Sequence, residues 1–201
     1  MRISREAKRA TRDRILKAAR KLFVQRGFEA STTRDLASTA RIAKGTLFNY
    51  FESKEALAVT LVAEELENAR EDLRARLRGD EELAQRLFLH VSTGLRRLEP
   101  YRGFVGAVLE TALSPFAKNG VSNLGDELRA DHLEVLHELT SDQPLDVVTV
   151  HVYWTLYLGV VAFWAADHSP NQEDTLAVLD ESIRVFILSC TKKPETPILG
   201  S

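Results

Sequence analysis

Residues 32–54 read TTRDLASTARIAKGTLFNYFESK, and this stretch decides the fold of the N-terminal part of the chain. The pattern predicts two short helices joined by a tight turn and followed at once by the start of another helix. The first of them begins at Thr32, a helix cap with Asp35 three residues later as its capping-box partner. The second, residues 44–51, is small and polar. Because such a pair can lay its second helix in the major groove of DNA, the stretch predicts a nucleic-acid-binding unit.

The charge of the chain is divided unevenly between its two ends. Residues 1–54 contain 14 Lys+Arg and 5 Asp+Glu, a net charge of +9, whereas residues 55–201 carry a net charge of −11. A basic head on an acidic body indicates a polyanionic partner for the head. The first nine residues lack the apolar core of a signal peptide and predict a flexible basic arm.

Helical periodicity is common along the chain and strand patterns are scarce, so we predict an all-α protein. An N-terminal three-helix head is joined by a long helix to a C-terminal helical bundle. The first helix ends at Gly27, because glycine enters the left-handed conformation at little cost. The predicted helices cover residues 11–26, 44–51, 54–77, 81–98, 102–117, 123–140, 145–167 and 172–190, and the second helix begins at residue 32.

Composition indicates a globular protein, since 44% of the 201 residues are hydrophobic and 28% are charged. The single cysteine, Cys190, cannot form an internal disulfide, which suits a reducing cytoplasm. Residues 147–166 contain no Asp, Glu, Lys or Arg and are long enough to span a bilayer. However, Asp146 and Asp167 flank them with no Lys or Arg nearby, which favours a helix buried between other helices.

Residues 11–57 resemble the DNA-binding domain of the TetR family of bacterial transcriptional regulators. The resemblance rests on ILKAA from residue 15, TTRDLA from residue 32, KGTLFNYF from residue 44 and SKEAL from residue 53. It implies a helix-turn-helix DNA-binding domain at 1–54, a helical ligand-binding and dimerisation domain at 55–191, and a tail at 192–201. It further implies a cytoplasmic homodimer, most often a repressor, that a small-molecule effector releases from a pseudo-palindromic operator of double-stranded DNA.

The DNA-contacting candidates fall into two groups. Side chains of the second short helix can reach base edges, and its glycine lets the backbone approach DNA closely; these residues are Lys44, Gly45, Thr46, Phe48 and Asn49. Other residues can hold phosphates and set the register of the helix; these are Thr33, Arg34, Arg41, Tyr50 and Lys54.

Three positions depart from the family pattern. Arg41 replaces the usual turn glycine and must take a left-handed conformation, at a cost of about 1 kcal/mol, or shift the turn. Ala43 replaces the usual serine cap, which leaves a backbone donor uncapped. Phe48 replaces a frequent tyrosine and keeps a ring that can contact a thymine methyl group.

The last two predicted helices carry more apolar surface than one buried side requires. We therefore predict a four-helix interface with a second copy of the chain, formed by Val152, Leu156, Val160, Phe163, Leu179, Ile183 and Phe186. The family resemblance implies an effector pocket within the body as well. Its candidates, each of which is also explained by ordinary core packing, are Phe104, Leu109, Phe116, His132, Leu136, Tyr153, Trp154 and Tyr157.

No catalytic chemistry is predicted. The five histidines show no metal-ligand spacing and no pairing with Cys190, and the chain has no phosphate-binding glycine-rich loop or nucleophile motif. We predict no catalytic residue, metal site, cofactor or membrane partner. Two alternatives remain open: a helical ligand-binding or interaction protein whose helix-turn-helix is only structural, and a DNA-binding dimer that responds to no ligand.

Overall fold

A computed structural model describes residues 4–108, 122–142 and 144–191, and every regular element in these ranges is helical, as predicted. Two 3-10 turns, Glu99–Tyr101 and Pro170–Gln172, precede the sixth and ninth helices. The α-helices are α1 (Arg5–Arg26), α2 (Thr33–Thr39), α3 (Lys44–Phe48), α4 (Lys54–Arg76), α5 (Leu83–Leu98), α6 (Arg102–Val108), α7 (Ser122–Leu139), α8 (Val147–Ala166) and α9 (Glu173–Thr191).

Two helix boundaries differ from the predictions. The prediction of a flexible arm is wrong from Arg5 onward, where α1 begins. The side chain of Ser4 caps this helix by accepting a hydrogen bond from the backbone N–H of Ala7. Helix α3 ends at Phe48, earlier than predicted, because the chain then tightens into a bond from the N–H of Asn49 to the carbonyl of Thr46. The end of the predicted helix 102–117 and the predicted tail lie outside the described residues.

The chain forms two compact units whose boundary falls inside helices. The first unit combines Met1–Glu67 with Arg97–Arg129, and the second combines Asn68–Arg96 with Ala130–Ser201. The first unit is therefore larger than the predicted head at 1–54, because it takes in the first half of α4 and all of α6.

An aromatic cluster forms the core of the first unit. Phe23 at the end of α1 packs edge-on against Phe28, with ring centroids 5.1 Å apart. Phe104 of α6 lies 5.3 Å from the ring of Phe23 and 5.8 Å from that of Phe28, and Tyr101 meets Phe104 at 5.6 Å. Such ring pairs stabilise a core by about 0.5–1.5 kcal/mol beyond their buried area. Residues 101–104 thus belong to the core that carries the helix-turn-helix.

The second unit is organised around α8 and α9 and the corner between them. Asp167 accepts hydrogen bonds from the backbone N–H groups of Ser169 (2.7 Å) and Thr175 (3.0 Å) and from the Thr175 hydroxyl (2.5 Å). These bonds, with the Thr175 hydroxyl first, hold the pKa of Asp167 well below its usual range. Trp164, which is completely buried, donates from Nε1 to Gln172 at 2.9 Å. These hydrogen bonds therefore hold the connection between α8 and α9 in one conformation and set the direction in which α9 packs against α8.

Helix α8 is long and apolar enough to cross a membrane by length and composition, and it is the one such helix among the described residues. A third of its 18-residue apolar window is buried within the protomer. Core helices of water-soluble proteins meet the same criteria. Asp146 caps the helix by accepting a hydrogen bond of 2.7 Å from the N–H of Thr149.

Candidate nucleic-acid interface and buried body cluster

The start of α2 is held by the predicted capping box. The N–H of Asp35 donates to Oγ1 of Thr32 at 3.2 Å, and the N–H of Thr32 donates back to the Asp35 carboxylate at 3.1 Å. Hydrogen bonds from Thr32, the side-chain bond first, lower the pKa of Asp35. Thr33 is half-buried and Arg34 is exposed in the first turn that this box organises.

The turn between α2 and α3 depends on Arg41, as predicted. Arg41 has φ of 56°, in the left-handed region, and its side chain is exposed. The N–H of Arg41 donates to the carbonyl of Ser38 at 3.1 Å, and that of Ile42 donates to the carbonyl of Ala37 at 3.0 Å. These two bonds form a Schellman motif with Arg41 at the position that glycine usually occupies. The arginine thus keeps the family turn at the cost of backbone strain.

Helix α3 presents one polar face to solvent. Leu47 is buried and anchors the helix. Of the predicted base-reading residues, four are exposed and Thr46 is half-buried; the exposed ones are Lys44, Gly45, Phe48 and Asn49. Phe48 is 45% exposed, and Nζ of Lys44 lies 6.0 Å from its ring centroid. Ala43 makes no side-chain cap, as predicted. The structure therefore brings these predicted residues together on one surface.

Lys54 is placed differently from the prediction. Its ammonium donates a hydrogen bond of 3.0 Å to the carbonyl of Phe28 and lies 4.0 Å from the centroid of the Phe28 ring. The side chain is only 16% exposed, and Glu29 lies at 3.9 Å. Lys54 therefore links the start of α4 to the turn after α1. Its ammonium group is engaged in these contacts, so it is not available in solvent to bind a phosphate. Tyr50 is half-buried beside α3.

Five of the eight predicted pocket residues meet in the second unit. They are buried, and they come from α7 and α8: His132, Leu136, Tyr153, Trp154 and Tyr157. Phe104 does not join them, because it packs into the aromatic core of the first unit. Leu109 and Phe116 lie outside the described residues.

The seven residues predicted for a dimer interface differ in how exposed their side chains are. Four are buried against the protomer's own core and cannot form an outer face: Val160, Leu179, Ile183 and Phe186. Val152 and Leu156 are half-buried, and Phe163 is 42% exposed. Further large apolar side chains on α8 and α9 are exposed, at 40–82%; these are Val147, Val148, Leu176, Val185 and Leu188. Helices α8 and α9 therefore do leave apolar side chains exposed, but these residues differ from the predicted set.

Two family models match the chain. One, described as bacterial regulatory proteins of the tetR family, covers residues 15–61. The other, described as a tetracyclin repressor-like C-terminal domain, covers residues 86–198, more than half of the chain. The chain belongs to the TetR family of bacterial regulatory proteins. The family is described as bacterial regulatory proteins, and the relatives that match this chain are named HTH-type transcriptional regulators.

Individual relatives agree with this assignment. An uncharacterized HTH-type transcriptional regulator of Mycobacterium tuberculosis is 34% identical over 84 residues, which span 42% of this chain and 42% of that relative. QacR of Staphylococcus aureus is 21% identical over 189 residues, covering 90% of this chain and 98% of QacR. FadR of Thermus thermophilus, a TetR-family repressor solved in complex with lauroyl-CoA, is 25% identical with a TM-score of 0.71, covering 94% of this chain and 100% of FadR.

Sequence reasoning missed a polar junction that supports the TetR-family head. Arg20 of α1 reaches Glu64 at 3.3 Å and Glu65 at 3.2 Å, and Glu65 also accepts from the hydroxyl of Tyr101. Arg12 reaches Glu64 at 3.6 Å. These partners are 36–52 residues apart in the chain, so no local pattern could reveal them. Among the described residues, no group of three His, Cys, Asp or Glu side chains could hold a metal ion.

Proposed function

We propose that the chain is a cytoplasmic, homodimeric regulator that binds a pseudo-palindromic DNA operator. In this proposal it acts as a repressor, and a small-molecule effector releases it from the operator. The observation that carries the DNA-binding part is the exposed face of α3. Lys44 and Phe48 of α3, and Asn49 at its C-terminal cap, are exposed, whereas Leu47 of the same helix is buried in the core. A helix exposed in this way can enter a major groove roughly 12 Å wide.

The two groups of DNA-facing residues have different tasks in this proposal. Lys44, Thr46 and Asn49 read base edges, and a good bidentate contact discriminates bases by about 1–3 kcal/mol. Arg34 in the first turn of α2 and Arg41 in the turn before α3 are both exposed and hold phosphates. Such contacts set affinity and register without reading sequence.

Dimerisation is supported by the apolar side chains that α8 and α9 leave exposed. Phe163, Leu176 and Leu188 are 42%, 40% and 59% exposed. A symmetric copy of the same surface can cover them, because a two-fold interface pairs one patch with itself. The two α3 helices of such a dimer would read half-sites about 34–36 Å apart, or a multiple of that spacing.

Effector response is supported by the buried aromatic and histidine side chains of the second unit. A ligand that binds better to the conformation with low DNA affinity shifts the population toward it, by at most its differential affinity for the two states. The likeness to FadR makes an acyl-CoA one candidate effector.

The first experiment is selection of bound sequences from a random DNA pool with the purified full chain. We expect enrichment of a two-fold symmetric motif. Lys44→Ala should weaken binding to that motif, because Lys44 reads a base edge. Arg41→Ala should lower the slope of log affinity against log salt by about 0.9, because Arg41 holds one phosphate. Arg96→Ala, a change at an exposed cation of α5 outside the proposed dimer surface, is the matched control and should leave affinity unchanged. Salt-sensitive retention with no enriched motif would contradict operator recognition.

A further inference from the structure

The start of α1 extends beyond the packed core of the first unit. Residues 5–10 are all exposed, and the first buried residue of the helix is Ile15. Since a helix rises about 1.5 Å per residue, Arg5 lies about 15 Å before Ile15 along the helix axis. The side chain of Ser4 caps this segment by accepting a hydrogen bond of 3.1 Å from the N–H of Ala7. We call residues 5–10 the α1 overhang.

One face of the α1 overhang is basic. Because a helix has about 3.6 residues per turn, Arg5, Lys8 and Arg9 lie on the same face. Arg12 continues that face one turn later, and Leu16, which is buried, continues it into the core. The overhang therefore has cations on the side that is apolar where the helix packs against the protomer, so this side is not built to bury itself in the chain's own core.

No carboxylate pairs with the cations of the overhang among the described residues. Arg5, Lys8 and Arg9 form no ion pair there, although other cations of α1 do. These three cations against the single carboxylate of Glu6 give residues 5–10 a net charge of +2. Like charges four residues apart, such as those of Arg5 and Arg9, destabilise a helix. The overhang would therefore be stabilised by an anionic partner from outside the chain.

The contacts of Arg12 locate this basic face beside α3. Its guanidinium lies 5.5 Å from the centroid of the Phe51 ring and pairs with Glu64 at 3.6 Å. Phe51 is buried just after α3, and its N–H donates to the carbonyl of Leu47 in that helix at 3.0 Å. The basic face thus passes the C-terminal end of α3 at Arg12, and Arg5 lies about 10 Å farther along α1.

We propose that the α1 overhang is a second DNA-contacting surface, on which Arg5, Lys8 and Arg9 bind phosphates of the duplex that flanks the half-site read by α3. The charge of the overhang selects a polyanion, and its position beside α3 selects the DNA that α3 binds. A reach of about 10 Å is comparable with the groove width of roughly 12 Å, so it extends to the backbone beside the groove. Such contacts add affinity without reading sequence. This inference rests on the proposed operator binding and enlarges its footprint.

Matched double variants of the full chain test the surface by the salt dependence of operator binding. Arg5→Gln/Arg9→Gln should make the slope of log affinity against log salt shallower by about 1.8, or about 0.9 for each of two phosphates. Lys17→Gln/Lys21→Gln removes the same charge at the same spacing from exposed positions on the opposite side of α1, and should keep the native slope. Arg5→Lys/Arg9→Lys retains the charge and should also keep it. Fluorescence anisotropy on the selected operator measures all four proteins.

The length of the DNA duplex tests where the overhang binds. One duplex ends at the outer edges of the two half-sites, and the other extends about one helical turn, or about 10 base pairs, beyond each edge. The native chain should bind the longer duplex at least about tenfold more tightly, whereas Arg5→Gln/Arg9→Gln should bind both duplexes alike. Changing the sequence of the flanks should leave affinity unchanged. Equal native affinity for the two lengths would overturn the proposal.

The outcomes separate this inference from the proposed function. If a motif is enriched and Arg5→Gln/Arg9→Gln binds it with the native affinity and salt slope, the overhang is refuted and operator recognition stands. If no motif is enriched, operator recognition fails, and a shallower slope of this variant on random-sequence duplex still supports the phosphate contacts. A native chain that binds no duplex refutes both. A change in the sedimenting mass of the variant would assign the overhang to contact with a second copy and overturn the proposal.

Discussion

The hydroxyl of Tyr101 donates a hydrogen bond of 3.1 Å to Oε1 of Glu65, and both residues are buried, at 4% and 6% exposure. Burial, more than the neighbouring carboxylates, raises the pKa of Tyr101 to about 12, so its hydroxyl keeps its proton and remains a donor. Arg20 meets the same carboxylate from α1 at 3.2 Å. One carboxylate of α4 thus joins α1 to the turn that precedes α6.

Tyr101→Phe should destabilise the protein by about 1–3 kcal/mol, because it removes one hydrogen bond to a buried carboxylate that Arg20 still contacts. Urea unfolding monitored by circular dichroism measures this loss. Tyr50→Phe is the matched control: Tyr50 is half-buried beside α3, so its variant should change stability by no more than about 0.5 kcal/mol and should lower operator affinity. Equal stability of the two variants would show that the Glu65 hydrogen bond contributes nothing.

Arg41→Gly should raise the free energy of unfolding by up to about 1 kcal/mol, because glycine adopts φ of 56° without the strain that arginine carries. The same change should weaken operator binding through loss of the guanidinium. Arg41→Ala separates the two effects, since it removes the guanidinium and keeps the strained conformation. Chemical denaturation and fluorescence anisotropy on the selected operator supply the two readouts; a destabilised glycine variant would refute the account of the turn.

Acid should destabilise the protein through His90. The folded protein holds this ring unprotonated down to about pH 4, whereas the unfolded chain binds its proton near the ordinary pKa of 6.5. Between these values the unfolded state binds more protons, so the free energy of unfolding falls as pH is lowered, by up to about 1.4 kcal/mol per pH unit. Urea midpoints at pH 7 and pH 5 measure the decline.

The His90→Phe variant is the reference for that measurement. It should lose less stability than the native chain between pH 7 and pH 5, because it removes the imidazole of His90 and leaves that of His132 in place. His137→Phe, at an exposed position, should decline as the native chain does. An identical decline in the His90 variant would mean that His90 is not the group that titrates.

Phe163→Glu should convert the proposed dimer into a monomer. Phe163 is 42% exposed on α8, and a carboxylate there would be buried without a partner when a second copy covers the helix. Sedimentation at micromolar concentration measures the mass. Val24→Glu, a change at a side chain of α1 that is 49% exposed, serves as the control and should leave the mass unchanged. A native chain that already sediments as a monomer would refute the dimer.

The helix-turn-helix could be predicted in detail because its determinants are local. Thr32 and Asp35 form the capping box across three residues, and Gly27 takes a positive φ at the end of α1. Departures from the TetR-family pattern also predicted that Ala43 makes no cap and that Arg41 is either left-handed or shifts the turn; the structure shows the left-handed form. Each of these features depends on atoms within about one helical turn, where residue order alone decides which groups meet.

Boundaries and burial directions were harder to predict. Ser4 caps α1, so residues 5–10 are helical where a flexible arm was predicted. These residues lie before the apolar periodicity that begins at Ile15, and periodicity alone did not indicate a helix there. On α9, Leu179, Ile183 and Phe186 form an apolar stripe that turned out to face the protomer's own core. Periodicity identifies such a stripe, but it does not specify whether the same chain or a second copy covers it.

By itself, then, the sequence determined the helical class, the helix-turn-helix with its capping box at Thr32 and Asp35, and the basic head that indicates a polyanionic partner. Tertiary structure alone decided that Phe104 packs into the head, that Lys54 binds the carbonyl of Phe28, and that His90 lies against His132. The physical reason is distance along the chain. Caps and turns form between neighbouring residues, whereas these contacts join residues 26–81 positions apart, and only the packing of whole helices brings them together.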